Sequence, residues 1–78
     1  MDLRAGPERY WTTSFEDKKD GLGGLRLHRE VFGKHSVAAE LTYWDATGGF
    51  TINTLDGVVP IEIVEKLIAE ARATIKVR

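Results

Sequence analysis

Residues 60–75, PIEIVEKLIAEARATI, decide the fold. Ile61, Val64, Leu67, Ile68, Ala71 and Ile75 recur at the spacing of one face of a 3.6-residue helix, and Glu62, Glu65, Lys66, Glu70, Arg72 and Lys76 fill the rest. Pro60 suits the first helical position, where its missing N–H is not needed, and Asp56-Gly57 closes what precedes it. Glu62 and Glu65 lie early and Arg72, Lys76 and Arg78 late, which complements the helix dipole, and Glu62 and Lys66 make a favourable i,i+4 pair. A helix of this kind has one apolar stripe and must lay it on another layer.

The other layer is read from the segments upstream. Residues 9–16 have the aromatic and β-branched composition of a strand, with Trp11, Thr13 and Phe15 on one face. Residues 25–32 alternate Leu25, Leu27, Arg29 and Val31 with Arg26, His28, Glu30 and Phe32. Residues 36–44 alternate Val37, Ala39, Leu41 and Tyr43 with Ser36, Ala38, Glu40, Thr42 and Trp44, and residues 50–55 make a fourth strand with Phe50 and Ile52 together. Between them, residues 17–24 (DKKDGLGG) read as a mobile polar hairpin loop and residues 45–49 (DATGG) as a glycine turn. The expected fold is α+β: a four-stranded antiparallel β-meander followed by one C-terminal amphipathic helix packed on one sheet face. One domain spans residues 1–78, with 1–8 a flexible tail, 9–55 the sheet and 60–75 the helix.

Hydrophobic matching predicts the register, because a one-residue slip turns a whole apolar set to the other face. A three-residue loop at Gly33-Lys34-His35 aligns Val31 with Val37, Leu27 with Leu41 and Leu25 with Tyr43, and sets His28 across from Glu40. A four-residue loop in the next hairpin aligns Tyr43 with Phe50 and Leu41 with Ile52, and lays Trp44 across from Gly49. A three-residue loop with a bulge is the alternative there, moving Trp44 to the Phe50 face.

Composition narrows the function classes. At 42% hydrophobic and 29% charged the chain is an ordinary globular one, not a disordered one. The absence of cysteine removes disulfides, thiolate chemistry and cysteine metal sites, and is compatible with a reducing compartment. A core this small seldom supplies more than roughly 3–5 kcal/mol by itself, which makes self-association or a partner a natural expectation. No apolar run approaches the roughly 20 residues that span a bilayer, and residues 1–7 lack an apolar centre, so the expected address is cytoplasmic, with no membrane partner. The net charge of −1 is unevenly laid out: Arg26, Arg29 and Lys34 stand against Glu30 alone, while residues 36–60 hold Glu40, Asp45 and Asp56 without Lys or Arg.

One helix covers one sheet face, and that face is expected to hold Phe15, Leu25, Leu27, Val31, Val37, Leu41, Phe50 and Ile52. The bare face is then expected to carry Tyr10, Thr12, Arg26, His28, Phe32, Glu40, Thr42, Trp44 and Asn53. Clustered aromatic, basic and amide side chains on an open sheet point to binding, with Tyr10, Arg26, His28, Phe32, Trp44 and Asn53 as the candidate residues. The expected function is a small non-catalytic binding module acting through protein–protein contact, as a homodimer. The alternative is single-stranded nucleic acid, stacked on Tyr10, Trp44 and Phe32 with Arg9, Arg26 and Lys34 near phosphates. No cofactor, metal or catalytic residue is expected. His28, Glu30 and Glu40 lack a compact ligand motif, His35 and Ser36 as strand neighbours point apart, and the glycines at 21, 23 and 24 lead into a strand rather than a phosphate-binding helix.

Overall fold

A computed structural model describes residues 1–17, 19, 21–44 and 48–75. The expectations at Lys18 and Asp20, at Asp45, Ala46 and Thr47, and at residues 76–78 lie outside these residues. The elements are β1 (Asp2–Ala5), β2 (Glu8–Asp17), β3 (Leu22–Val31), β4 (Lys34–Trp44), β5 (Gly49–Thr54) and α1 (Ile61–Thr74). The strands form one antiparallel sheet in the order β1-β2-β3-β4-β5. The α+β meander with a terminal helix is as expected, with five strands in place of four. Residues 2–5, read from sequence as part of a tail, form an edge strand: Leu3 pairs with Tyr10, and Arg9 makes two hydrogen bonds to the Asp2 carboxylate.

The helix forms where its periodicity places it, but it is turned about its axis from the expected orientation. Ile63, Leu67 and Ala71 are buried, whereas Ile61 is 69% and Ile68 37% exposed. Glu70 explains the rotation. Its carboxylate accepts hydrogen bonds from the Thr12 hydroxyl at 2.7 Å and from the Met1 amino group, so this polar side chain is held at the sheet surface. Burying Leu67 and Ile63 stabilises the layer contact by about 1.5–3 kcal/mol each.

The β4–β5 register agrees with expectation, with Tyr43 opposite Phe50, Leu41 opposite Ile52 and Trp44 opposite Gly49. The β3–β4 register differs. Its loop has two residues, Phe32 and Gly33, with φ of 50° and 82° as a type I′ turn requires, and Val31 pairs with Lys34. A bulge follows: Leu27 pairs with Ala39 and His28 with Val37, so Ala38 is the extra residue. Both alanines are fully buried, and their small side chains let two consecutive residues sit within the core. The bulge reverses the phase of β4 before it, which puts Val37 on the bare face and aligns Leu25 with Leu41 instead of Tyr43.

β2 also faces opposite to expectation. Tyr10 and Thr12 pair with Arg29 and Leu27 and lie on the helix side, while Trp11, Thr13 and Phe15 face outward. Phe15 is accommodated by Gly24, its cross-strand partner, over which the ring lies. Tyr10 can be interior because its hydroxyl donates to Glu8 at 3.0 Å.

The linker between β5 and α1 is tied down by Arg29, a buried charged residue on the helix side. Its guanidinium donates to the Val58 carbonyl at 2.7 Å and to the Asp56 carbonyl, and pairs with the Asp56 carboxylate at 3.5 Å. Burial opposes the charge, but the Tyr10 and Asp56 oxygens more than offset it and leave the pKa above that of an ordinary arginine.

Gly24→Ala tests the cross-strand fit. A methyl group there meets the Leu41 carbonyl oxygen and comes to 2.7 Å from Phe15 Cζ. Urea unfolding should show a loss on the order of 3 kcal/mol.

Candidate functional site

The bare sheet face is built from alternate residues of all five strands. Asp2 and Arg4 come from β1, Arg9, Trp11, Thr13 and Phe15 from β2, and Arg26, His28 and Glu30 from β3. β4 adds His35, Val37, Glu40, Thr42 and Trp44, and β5 adds Thr51 and Asn53.

Its centre is an aromatic cluster that bridges three strands. His28 Nδ1 and His35 Nε2 are 2.8 Å apart, and the ring centroids are 5.0 Å apart with planes 26° from parallel. That separation nearly equals the N···N contact plus two ring radii, so the imidazoles meet edge to edge through a hydrogen bond. The Trp11 indole is 5.3 Å from His28 and 5.2 Å from His35, with interplanar angles of 9° and 21°. Rings this near and this parallel form an offset stack, so the indole lies over both imidazoles. Arg9, held by Asp2, sits 5.0 Å from the indole centroid.

Polar contacts fix the cluster. The Thr13 hydroxyl and His28 Nε2 are 2.8 Å apart. A neutral His28 has one donor and one acceptor nitrogen, so it either receives from Thr13 and donates to His35, or donates to Thr13 and receives from His35. With both imidazoles protonated, neither could accept and the contact between them would be lost. Burial, the neighbouring His35 and Arg26 together hold the His28 pKa below its ordinary value of 6.5. A second cluster lies beside the first, where Arg26 packs 5.1 Å from the Phe15 centroid and pairs with Glu40 at 2.7 Å. At the far end Trp44 Nε1 donates to the Thr51 hydroxyl at 3.3 Å.

Four of the six residues singled out from sequence, Arg26, His28, Trp44 and Asn53, are on this face. Tyr10 is not: it is fully buried beneath the helix and cannot meet a partner. Phe32 is not in a strand but at the tip of the β3–β4 turn, 85% exposed, beside an open cleft lined by Glu8, Arg29, Lys34, Asp56 and Val58. His28 faces Val37 and His35 rather than Glu40, whose cross-strand partner is Arg26. Trp11, Phe15 and His35 are the residues the sequence reading missed. The pair of short residues Ala38-Ala39 was the available signal for a bulge that brings His35 to His28, and Gly24 the signal for an outward Phe15.

Ser36 is on the opposite face from His35, paired with Arg29. Among the described residues, no group of three or more His, Asp or Glu side chains is placed to hold a metal ion. Among the same described residues, no helix is long and apolar enough to cross a membrane. Comparison of the chain with protein-family models, curated proteins and solved structures gives no match.

The His28 shift has a definite sign. Because the folded pKa is depressed, its contribution to stability is complete above the unfolded value near 6.5 and is lost as pH falls through the folded value. The melting temperature should therefore fall between pH 7 and pH 5, and His28→Gln should flatten that part of the profile. An unchanged slope in the variant would show that His28 does not couple to folding.

Proposed function

We propose that the protein is a non-catalytic, homodimeric binding module that acts through protein–protein contact and presents its bare sheet face to a protein partner. One observation supports this reading above the others: Trp11, Phe15, His28, His35 and Trp44 share a face on which Arg9 and Arg26 already hold their own carboxylates. Aromatic rings and arginines carry a disproportionate share of interface energy. Side chains fixed in advance by neighbours lose little freedom on binding, which favours affinity. Arg9–Asp2 and Arg26–Glu40 also weigh against a phosphate backbone as the ligand, since the charge of each guanidinium is already matched by a carboxylate that would repel a phosphate.

Phe32 supports the same reading from a different direction. A two-residue turn of this kind favours Asn-Gly or Asp-Gly, yet the first position here is an exposed phenylalanine at φ 50°. A β-carbon in the left-handed region costs on the order of 1 kcal/mol, with no burial to offset it. Strain kept at an exposed aromatic points to a contact made outside the chain. Val58, 88% exposed, lines the same cleft and widens the apolar surface there.

Two measurements check this. Trp11→Ala and Trp44→Ala should each weaken capture of a specific partner by about 2 kcal/mol, roughly 30-fold, leaving the far-ultraviolet circular dichroism unchanged. Salt-reversible quenching of tryptophan fluorescence by a mixed oligonucleotide would instead favour single-stranded nucleic acid. Phe32→Asn should raise stability by about 0.5–1 kcal/mol in thermal unfolding while weakening the same capture.

A further inference from the structure

The two edges of the sheet are built differently. β1 is four residues long, carries Asp2 and Arg4, and is flanked by Arg9, the short charged edge that discourages further pairing. β5, Gly49–Thr54, is six residues long and has no charged residue and no proline. Leu55 N–H bonds inward to the Ala38 carbonyl, so by the two-residue alternation of an antiparallel ladder Thr51 and Asn53 also turn their backbone groups toward β4. Phe50, Ile52 and Thr54 turn theirs outward.

The helix leaves apolar surface along this same edge. Ile61, Ile68 and Arg72 are seven and four residues apart and share a flank, and Arg72 lies 5.7 Å from the Phe50 ring, so that flank faces β5. Ile52, on the helix side opposite Leu41, is 44% exposed. The accessible surface of 5281 Å² also exceeds the roughly 4,700 Å² expected of a compact chain of 8.7 kDa.

We infer that a second copy of this chain docks on β5, the two strands pairing antiparallel about a two-fold axis at Ile52 to make one continuous ten-stranded sheet. The outward groups are self-complementary about that residue: Ile52 meets its own copy, and Phe50 meets Thr54 of the other chain. An uncharged strand brings no like-charge repulsion to such a pairing, which a β1–β1 contact would. The two Ile52 side chains then cover one another on the helix side, between flanks carrying Ile61 and Ile68. The two bare faces become one, with Trp11 and its histidines present twice on a single surface. The assignment rests on the homodimeric reading proposed above and supplies its interface.

Light scattering and amide exchange on the full chain test it. The native protein should have about twice the 8.7 kDa chain mass. Ile52→Lys, which puts a charge on the edge, and Thr54→Pro, which removes an outward N–H without touching the β4 ladder, should each halve that mass with an unchanged circular dichroism spectrum. Trp11→Ala should remain dimeric. The Phe50 and Ile52 amides of the native protein should exchange on the order of 100-fold more slowly than the residue-50 and residue-52 amides of the monomeric variants, and the Thr54 amide more slowly than in Ile52→Lys by a similar factor. A dimer that persists in both edge variants overturns the β5 pairing and leaves homodimerisation standing. A native chain that is monomeric overturns both. Fast exchange at those three amides in a native dimer overturns the pairing even if neither variant folds.

Discussion

One extra residue in β4 sets the side on which half of the sheet's chemistry is displayed. Because side chains alternate, inserting Ala38 opposite Leu27 keeps Ala39, Leu41 and Tyr43 on the helix side while turning Val37 and His35 outward. Without it, a regular strand would send Val37 inward and leave His35 on the covered side, away from Trp11. The bulge is compatible with a packed core because both residues at it are alanine. The aromatic cluster is thus a consequence of strand phase, and strand phase a consequence of two small side chains.

The elements legible in the sequence are those whose local pattern had no competitor. The helix could be read over its full length because its apolar period runs four turns, and the β4–β5 register because Tyr43, Leu41, Phe50 and Ile52 match in only one alignment without a bulge. The facing of β2 was not legible in this way. Trp11 and Phe15 outweigh Tyr10 and Thr12 on any hydrophobic scale, so pattern alone turns them inward. The folded chain reverses this through partners distant in sequence: Gly24 makes room for Phe15, Glu8 satisfies the Tyr10 hydroxyl, and Glu70 takes the Thr12 hydroxyl. β1 was missed for a related reason, since DLRA has one large apolar residue and becomes a strand only beside β2.

The candidate face was legible as a face but not in its membership. Arg26, His28, Trp44 and Asn53 follow from the alternation of β3, β4 and β5, which the bulge does not disturb on their side. Trp11 and His35 required the phases of β2 and of the start of β4, both of which hydrophobic matching reads the other way. What the structure adds is mutual support: each charged or titratable group at the centre already has a neighbour, Asp2 for Arg9, Glu40 for Arg26, Thr13 and His35 for His28. The side chains of such a surface have partners within the chain before they meet anything outside it, whereas the β3–β4 turn at Phe32 concentrates strain and exposure at one point.

The Arg29 clamp bears on the order in which the molecule assembles. Every strand pairs with its neighbour in sequence, so the sheet can zip up through short loop closures of the kind that make folding fast. The contacts that fasten the helix, by contrast, span long stretches: Arg29 to Val58, and Thr12 to Glu70. Until the linker arrives, the Arg29 guanidinium stands hydrated on an open sheet, and the arrival of Asp56 and Val58 exchanges that water for carbonyl and carboxylate oxygens. The helix and its linker are therefore held by contacts whose loops are far longer than any in the sheet, and closing them carries the larger share of the chain-entropy cost.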